Sequence, residues 1–164
     1  MKQLDVKCQT SIKTNYEIVK VVDGDGIIAK NIISNKEEEI RFYGIDAPEL
    51  TPCKKLKQDE RETHLSGRFL MELAHQSYKF LRKRAKIGKR ITLIQEVGNE
   101  KDPYGRTLAY VVLPNGKTLN EIMVKKGFAK PYDKLYCSEL PKYQELNLRA
   151  KMKKKGLYSL IDRF

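Results

Sequence analysis

Apolar and polar positions alternate in five short runs, and between the third and fourth the spacing changes to that of a helix. Tyr16 to Val22 is rich in β-branched residues and stops at Asp23-Gly24-Asp25-Gly26, a turn signal. Ile27 to Ile33 resumes the strand pattern, Ser34-Asn35-Lys36 turns the chain, and Glu39 to Ile45 is a third run, so the three read as a meander. Pro48 and Pro52 then break regularity. From about Lys57 to Ala85 a core-facing stripe of Leu65, Phe69, Leu73, Phe80 and Leu81 predicts one long helix. Arg90 to Val97 and Arg106 to Leu113 are two more strands, joined by the turn-rich stretch Gly98 to Gly105 and followed by a tight turn at Pro114-Asn115-Gly116. A short helix around Leu119, Ile122 and Met123 ends at Gly127, and a basic helix from Leu140 to Lys155 ends at Gly156. The order predicts an α+β fold, a five-stranded barrel of the OB type with three α-helices.

At 164 residues the chain is expected to form one domain with one core, over 16–160, preceded by a polar segment over 1–15. Its longest apolar run, Leu108 to Leu113, is far too short to cross a bilayer, so no membrane insertion is expected. The polar stretch Met1 to Asn15 holds no signal-type apolar core. That fits a protein kept inside the cell, or a mature form of a secreted or envelope protein whose leader has been removed.

Charge narrows the partner. Thirty-three Lys and Arg against 21 Asp and Glu give a net charge of +12, which points to a polyanion. Seven bases and no acid lie between Lys79 and Arg90; six bases and one acid lie between Lys142 and Lys155. Either run alone reads as a solvated helix face, and neither overlaps the acidic clusters. Cys8, Cys53 and Cys137 are far apart and none has a His at ligand spacing, which argues against zinc. His64 and His75 fall in the helical segment and read as surface residues.

Chemistry concentrates in three clusters: Asp23-Gly24-Asp25, then Arg41 with Asp46-Ala47-Pro48-Glu49, then Asp102-Pro103-Tyr104-Gly105-Arg106. Singly each is ordinary, a turn or a strand exit. In order on five strands they supply carboxylates for a hard cation, a further carboxylate to act on water, and two guanidinium forks matched to phosphate oxygens. Tyr104 and Tyr132 can stack on a base or bind a phosphate, whereas Tyr110 and Tyr158 read as core. That inventory suits metal-assisted attack on a phosphodiester.

Val22-Asp23-Gly24-Asp25, Arg41-Phe42-Tyr43-Gly44-Ile45-Asp46-Ala47-Pro48-Glu49, Tyr104-Gly105-Arg106-Thr107-Leu108-Ala109-Tyr110, and Leu119-Asn120-Glu121 with Gly127-Phe128-Ala129 resemble the staphylococcal nuclease (thermonuclease) family, from about Tyr16 to Tyr158. The resemblance implies calcium-dependent cleavage of DNA and RNA to products ending in a 3′-phosphate; a monomer is expected. It implies calcium held by the carboxylates of Asp25 and Asp46 and the carbonyl of Ala47. It makes Glu49 the general base or the residue that orders the attacking water, gives the scissile phosphate to Arg41 and Arg106, and gives the nucleotide to Tyr104 and Tyr132. The family's best-known member carries Thr where Ala47 and Gly26 stand, and the loop from Leu50 to Lys57 has its own composition. If the protein is exported, Cys53 and Cys137 border the same cleft in this fold and a disulfide between them is one expectation; free thiols are the other. A non-catalytic domain of the same fold, binding nucleic acid or a protein partner, is the alternative, and retention of Asp25, Arg41, Asp46, Glu49 and Arg106 together disfavours it.

Overall fold

The computed structural model describes residues 8–164, so residues 1–7 of the expected N-terminal segment lie outside it. Five strands close a barrel in the spatial order β1-β2-β3-β6-β5: β1 (Thr10–Val21), β2 (Gly26–Asn31), β3 (Glu37–Phe42), β5 (Arg90–Glu96) and β6 (Thr107–Val112). β1 begins six residues before the expected strand. Its first half pairs with β5, from Thr10 opposite Glu96, and its second half pairs with β2. Asn15, at a φ of 63°, marks the irregularity where the register with β5 shifts. β3 and β6 pair in parallel, Arg41 opposite Leu108, and this ladder closes the barrel. The alternating apolar residues face the interior as expected: Ile18, Ile27, Ile40, Leu93 and Val111 are buried. Full burial of each such side chain contributes about 1.5–3 kcal/mol.

The meander does not run straight to Ile45. Gly44, at a φ of 70°, turns the chain after β3, and Ile45–Asp46 forms a separate strand, β4, paired with β7 (Lys130–Pro131). A side chain at Gly44 would meet Cys137 Sγ at 2.6 Å and the Tyr143 ring at 3.0 Å, so the position has neither the backbone angle nor the room for one.

Among the described residues four α-helices form, not three. The expected long helix is two, α1 (Lys54–Thr63) and α2 (Gly67–Arg84), broken at His64, which adopts a left-handed φ of 58° and donates its N–H to the Glu60 carbonyl. Ser66 then caps α2 through its hydroxyl, which accepts from the Phe69 N–H, and the Glu60 carboxylate accepts from the Gly67 N–H at 2.6 Å. α3 (Leu119–Lys125) and α4 (Leu140–Met152) complete the set; α4 stops three residues early and a 3₁₀ turn (Gly156–Ser159) follows. A second apolar cluster joins α1, α2 and the C-terminus through Leu56, Leu70, Leu73, Leu157, Tyr158 and Phe164. Tyr110 and Tyr158 are core residues, and His64 and His75 are exposed. The described residues include no helix long and apolar enough to cross a membrane.

Candidate active site

Parallel pairing of β3 with β6 brings the two arginines together. Arg41 sits opposite Leu108, and Arg106 lies two residues before Leu108, hence on the same side of the sheet. β2 supplies the first acid: Gly26 pairs with Arg41, and the preceding Asp25 accepts the Phe42 N–H on its carbonyl at 2.9 Å. β4 supplies the second. Asp46 pairs with Lys130, and the adjoining Tyr132 N–H donates to the Gly44 carbonyl at 2.9 Å.

The Arg41 guanidinium bridges the two acids, donating one nitrogen to Asp25 Oδ1 and the other to Asp46 Oδ1 at 3.1 Å. Asp25 Oδ2 accepts the Ala47 N–H at 2.8 Å, which fixes the Ala47 backbone beside the carboxylates. Ala47 in turn lies over Gly24, where a Cβ would come within 2.6 Å of the Ala47 methyl, so the Asp23–Asp25 turn can rest on this strand exit only with glycine there. Lys55, from the first turn of α1, reaches back into the acids: its ammonium lies 3.1 Å from Asp46 Oδ2, 3.3 Å from Glu49 Oε1 and 3.0 Å from Asp59 Oδ2.

Electrostatics follow from that crowding. Burial pushes the Asp25 carboxyl well above its ordinary range, against the pull of Arg41 and with Asp23 and Asp46 adding to the rise. Burial works against the charge on Arg41, yet Asp25 and Asp46 hold its pKa above the usual guanidinium value. Lys55 likewise is raised, burial notwithstanding, by Asp46, Glu49 and Asp59.

On the far wall, Asp102 organises Arg106. Asp102 Oδ1 accepts the N–H groups of Tyr104 and Arg106, and Oδ2 accepts Arg106 Nε at 2.6 Å. The Arg106 guanidinium lies 5.6 Å from the centroid of the exposed Tyr104 ring. Arg41, Asp46, Glu49, Tyr104, Arg106 and Tyr132 line one open cleft of about 360 Å³, with Asp25 and Ala47 buried directly behind Arg41 and Asp46.

This donor set suits a hard cation. Asp25 and Asp46 meet at Arg41, and Asp46, Glu49 and Asp59 meet at Lys55; the oxygens are carboxylate and carbonyl, the ligands calcium takes. Among the described residues no three His, Cys, Asp or Glu side chains converge as ligands, so a cation here would take two carboxylates, a backbone oxygen and water.

A family model for the staphylococcal nuclease homologue matches residues 39–160. The chain belongs to that family. It is 31% identical over 156 residues to a thermonuclease of Staphylococcus hyicus, covering 88% of this chain and 75% of that protein. An uncharacterized endonuclease of Escherichia coli O157:H7 is 32% identical over 145 residues, covering 88% and 77%. Endonuclease YhcR of Bacillus subtilis (strain 168) is 30% identical over 158 residues, covering 93% of this chain and 12% of that protein. The chain thus spans an eighth of YhcR and about three-fifths of two further relatives.

For this nuclease homologue the expected site residues are thus neighbours, and three more join them. Lys55 and Asp59 carry no role on sequence grounds, and Asp102 figures there only as a member of the third cluster. The signals are nonetheless present: Lys55 and Asp59 are an i,i+4 pair, and Asp102 stands four residues before Arg106 across a Gly turn. The cysteines do not pair. Cys53 caps α1, its sulfur accepting the Leu56 N–H, while Cys137 is buried beneath Gly44, and both are free thiols, as is Cys8.

Proposed function

We propose that this protein is a calcium-dependent phosphodiester hydrolase that cleaves DNA and RNA and leaves 3′-phosphate ends. The observation that carries the reading is the cleft itself, which brings the carboxylates of Asp46 and Glu49, the guanidinium groups of Arg41 and Arg106, and the rings of Tyr104 and Tyr132 to one lining. Binding nucleic acid needs no carboxylates beside the polyanion, so their presence favours chemistry over binding alone.

In this reading Asp25, Asp46 and the Ala47 carbonyl hold calcium, which supplies positive charge to the phosphate and to the water near it. Arg41 and Arg106 each offer a planar fork to the non-bridging phosphate oxygens and meet the extra charge that develops as the phosphorus becomes five-coordinate. Glu49, more open to solvent than Asp25 or Asp46, accepts a proton from the attacking water or orients it. The water oxygen bonds to phosphorus, the bond to the 5′-oxygen breaks, that oxygen takes up a proton from solvent and leaves as the 5′-hydroxyl, and the phosphate stays on the 3′ side. Tyr104 and Tyr132 receive the nucleotide by stacking or hydrogen bonding.

The Lys55 ammonium favours a second reading, a non-catalytic domain, because a cation already satisfies Asp46 and Glu49 as a structural ion-pair network would. Incubation with plasmid in calcium, in magnesium and in chelator separates the two. Cleavage in calcium that is weak in magnesium and absent in chelator supports the hydrolase, since the irregular ligand set suits the larger, more tolerant ion. Tight binding without cleavage in any condition supports the non-catalytic domain. Full cleavage in chelator or with magnesium alone overturns the calcium assignment.

A further inference from the structure

The first basic run of the sequence meets the cations that flank α3 in one cleft of the fold. The end of α2 contributes Lys83 and Arg84, the loop before β5 contributes Lys89, and the start and end of α3 contribute Lys117, Lys125 and Lys126. These six cations line a cleft of about 390 Å³, and among the described residues none of them is in an ion pair. The one acid on its wall, Glu121, is engaged by Lys142 at 2.8 Å. The second run adjoins it: the Leu157 N–H donates to the Gly127 carbonyl at 2.9 Å, and this bond sets the Lys153–Lys155 turn beside the end of α3.

Helix dipoles do not account for such a surface, because one or two cations in a last turn serve a helix C-terminus. Here the cations come from two helix ends, a loop and a strand-to-helix turn, and they converge on a concavity. Its position also matters. The active cleft lies at the Arg106 end of β6 and this one at the Leu113 end, so the strand length separates them by roughly 20 Å.

We propose that this cleft is a second nucleic-acid site, which holds the phosphate backbone of a long substrate a few nucleotides away from the phosphate being cut. The site is an open groove of cations with no carboxylate free to act on water, so it binds and does not cleave. It rests on the nuclease reading only for the word substrate; the binding itself needs no metal and no chemistry.

The test is the triple variant Lys83→Gln, Arg84→Gln, Lys126→Gln against a control that removes equal charge elsewhere, Lys20→Gln, Lys36→Gln, Arg68→Gln; all six positions are exposed. Binding of a fluorescent 30-base-pair duplex is followed in chelator as salt rises, with cleavage of long DNA and of a dinucleotide measured in calcium. For each phosphate that the protein ceases to neutralise, the log–log salt dependence flattens by about 0.9. The cleft variant should bind the duplex about tenfold or more weakly near 0.1 M salt, with a flatter slope, and raise KM for long DNA while leaving dinucleotide turnover unchanged. The control should change far less. Equal weakening in both variants would show a response to net charge and overturn the site. So would loss of binding to phosphatidylglycerol vesicles with duplex binding intact. Selective loss of duplex binding in a protein that cuts nothing would uphold the cleft and remove the nuclease reading.

Discussion

The Lys55 ammonium stands 3.1 Å from Asp46 Oδ2, inside the carboxylate cluster that a divalent cation would enter. A metal ion held there, as we propose, would compete with the ammonium for the same oxygens. Lys55→Met keeps the reach of the side chain and removes its charge. Calcium should then bind more tightly, by up to about tenfold, a modest gain because Lys55 is partly solvated. In chelator the variant should melt at a lower temperature than the parent, since Asp46, Glu49 and Asp59 lose a partner, and calcium should restore the difference. Calorimetric titration showing unchanged affinity would mean that the ammonium moves aside freely.

Glu49→Gln preserves size and loses basicity. Turnover should fall by about two to four orders of magnitude, with duplex affinity in calcium nearly unchanged. Arg41→Lys and Arg106→Lys keep a charge but lose the fork, and should also depress turnover strongly. Wild-type rates in all three would place the reacting phosphate elsewhere on the molecule.

Asp102 holds Arg106 in place by accepting its backbone and side-chain N–H groups. Burial works to raise its carboxyl pKa, but the backbone and side-chain N–H groups of Arg106 outweigh it and hold the value below the ordinary 3.8. A carboxyl depressed on folding stabilises the protein above its unfolded pKa, and that contribution disappears as pH falls through the folded value. The stability gap between the parent and Asp102→Asn should be constant from neutral pH to about pH 5, then shrink below about pH 4. The variant's kcat should fall, while the Arg106→Lys, Asp102→Asn double variant loses little more than Arg106→Lys alone. Additive losses in kcat would show that Asp102 acts independently of Arg106.

The three thiols should differ sharply in reactivity. Cys8 and Cys53 are exposed, whereas Cys137 is buried and its thiol pKa is pushed up to about 11, chiefly by that burial. Iodoacetamide at pH 8 should label two cysteines in the native protein and three in denaturant, by intact mass. A Cys53–Cys137 disulfide in protein purified without reductant would contradict the structure.

What the chain discloses in advance tracks where physical signals are local. Ile27, Ile40, Leu93 and Val111 alternate with polar neighbours, so the barrel strands are readable, and Asp25, Arg41, Asp46, Glu49 and Arg106 stand at or near their ends. The opening half of β1 is hidden because Thr10 to Asn15 remains largely solvated and so shows no apolar rhythm. The break at His64 is hidden because a histidine, not glycine or proline, takes the left-handed turn there, held by the Glu60 carbonyl. Lys55 gains a role only once α1 folds back over Asp46, a relationship of tertiary packing alone.

The parallel ladder between β3 and β6 makes the cleft a late product of the chain. Arg41 and Arg106 are 65 positions apart, and no hairpin can join strands that run the same way; two helices and β5 must be in place before β6 lies against β3. A chain still emerging from the ribosome and made as far as Glu49 carries Asp25, Arg41, Asp46 and Glu49 but lacks Arg106, the cleft's second guanidinium. Any fragment that stops short of β6 therefore leaves the cleft without its second guanidinium, and the cleft is whole only in chains that extend past Arg106.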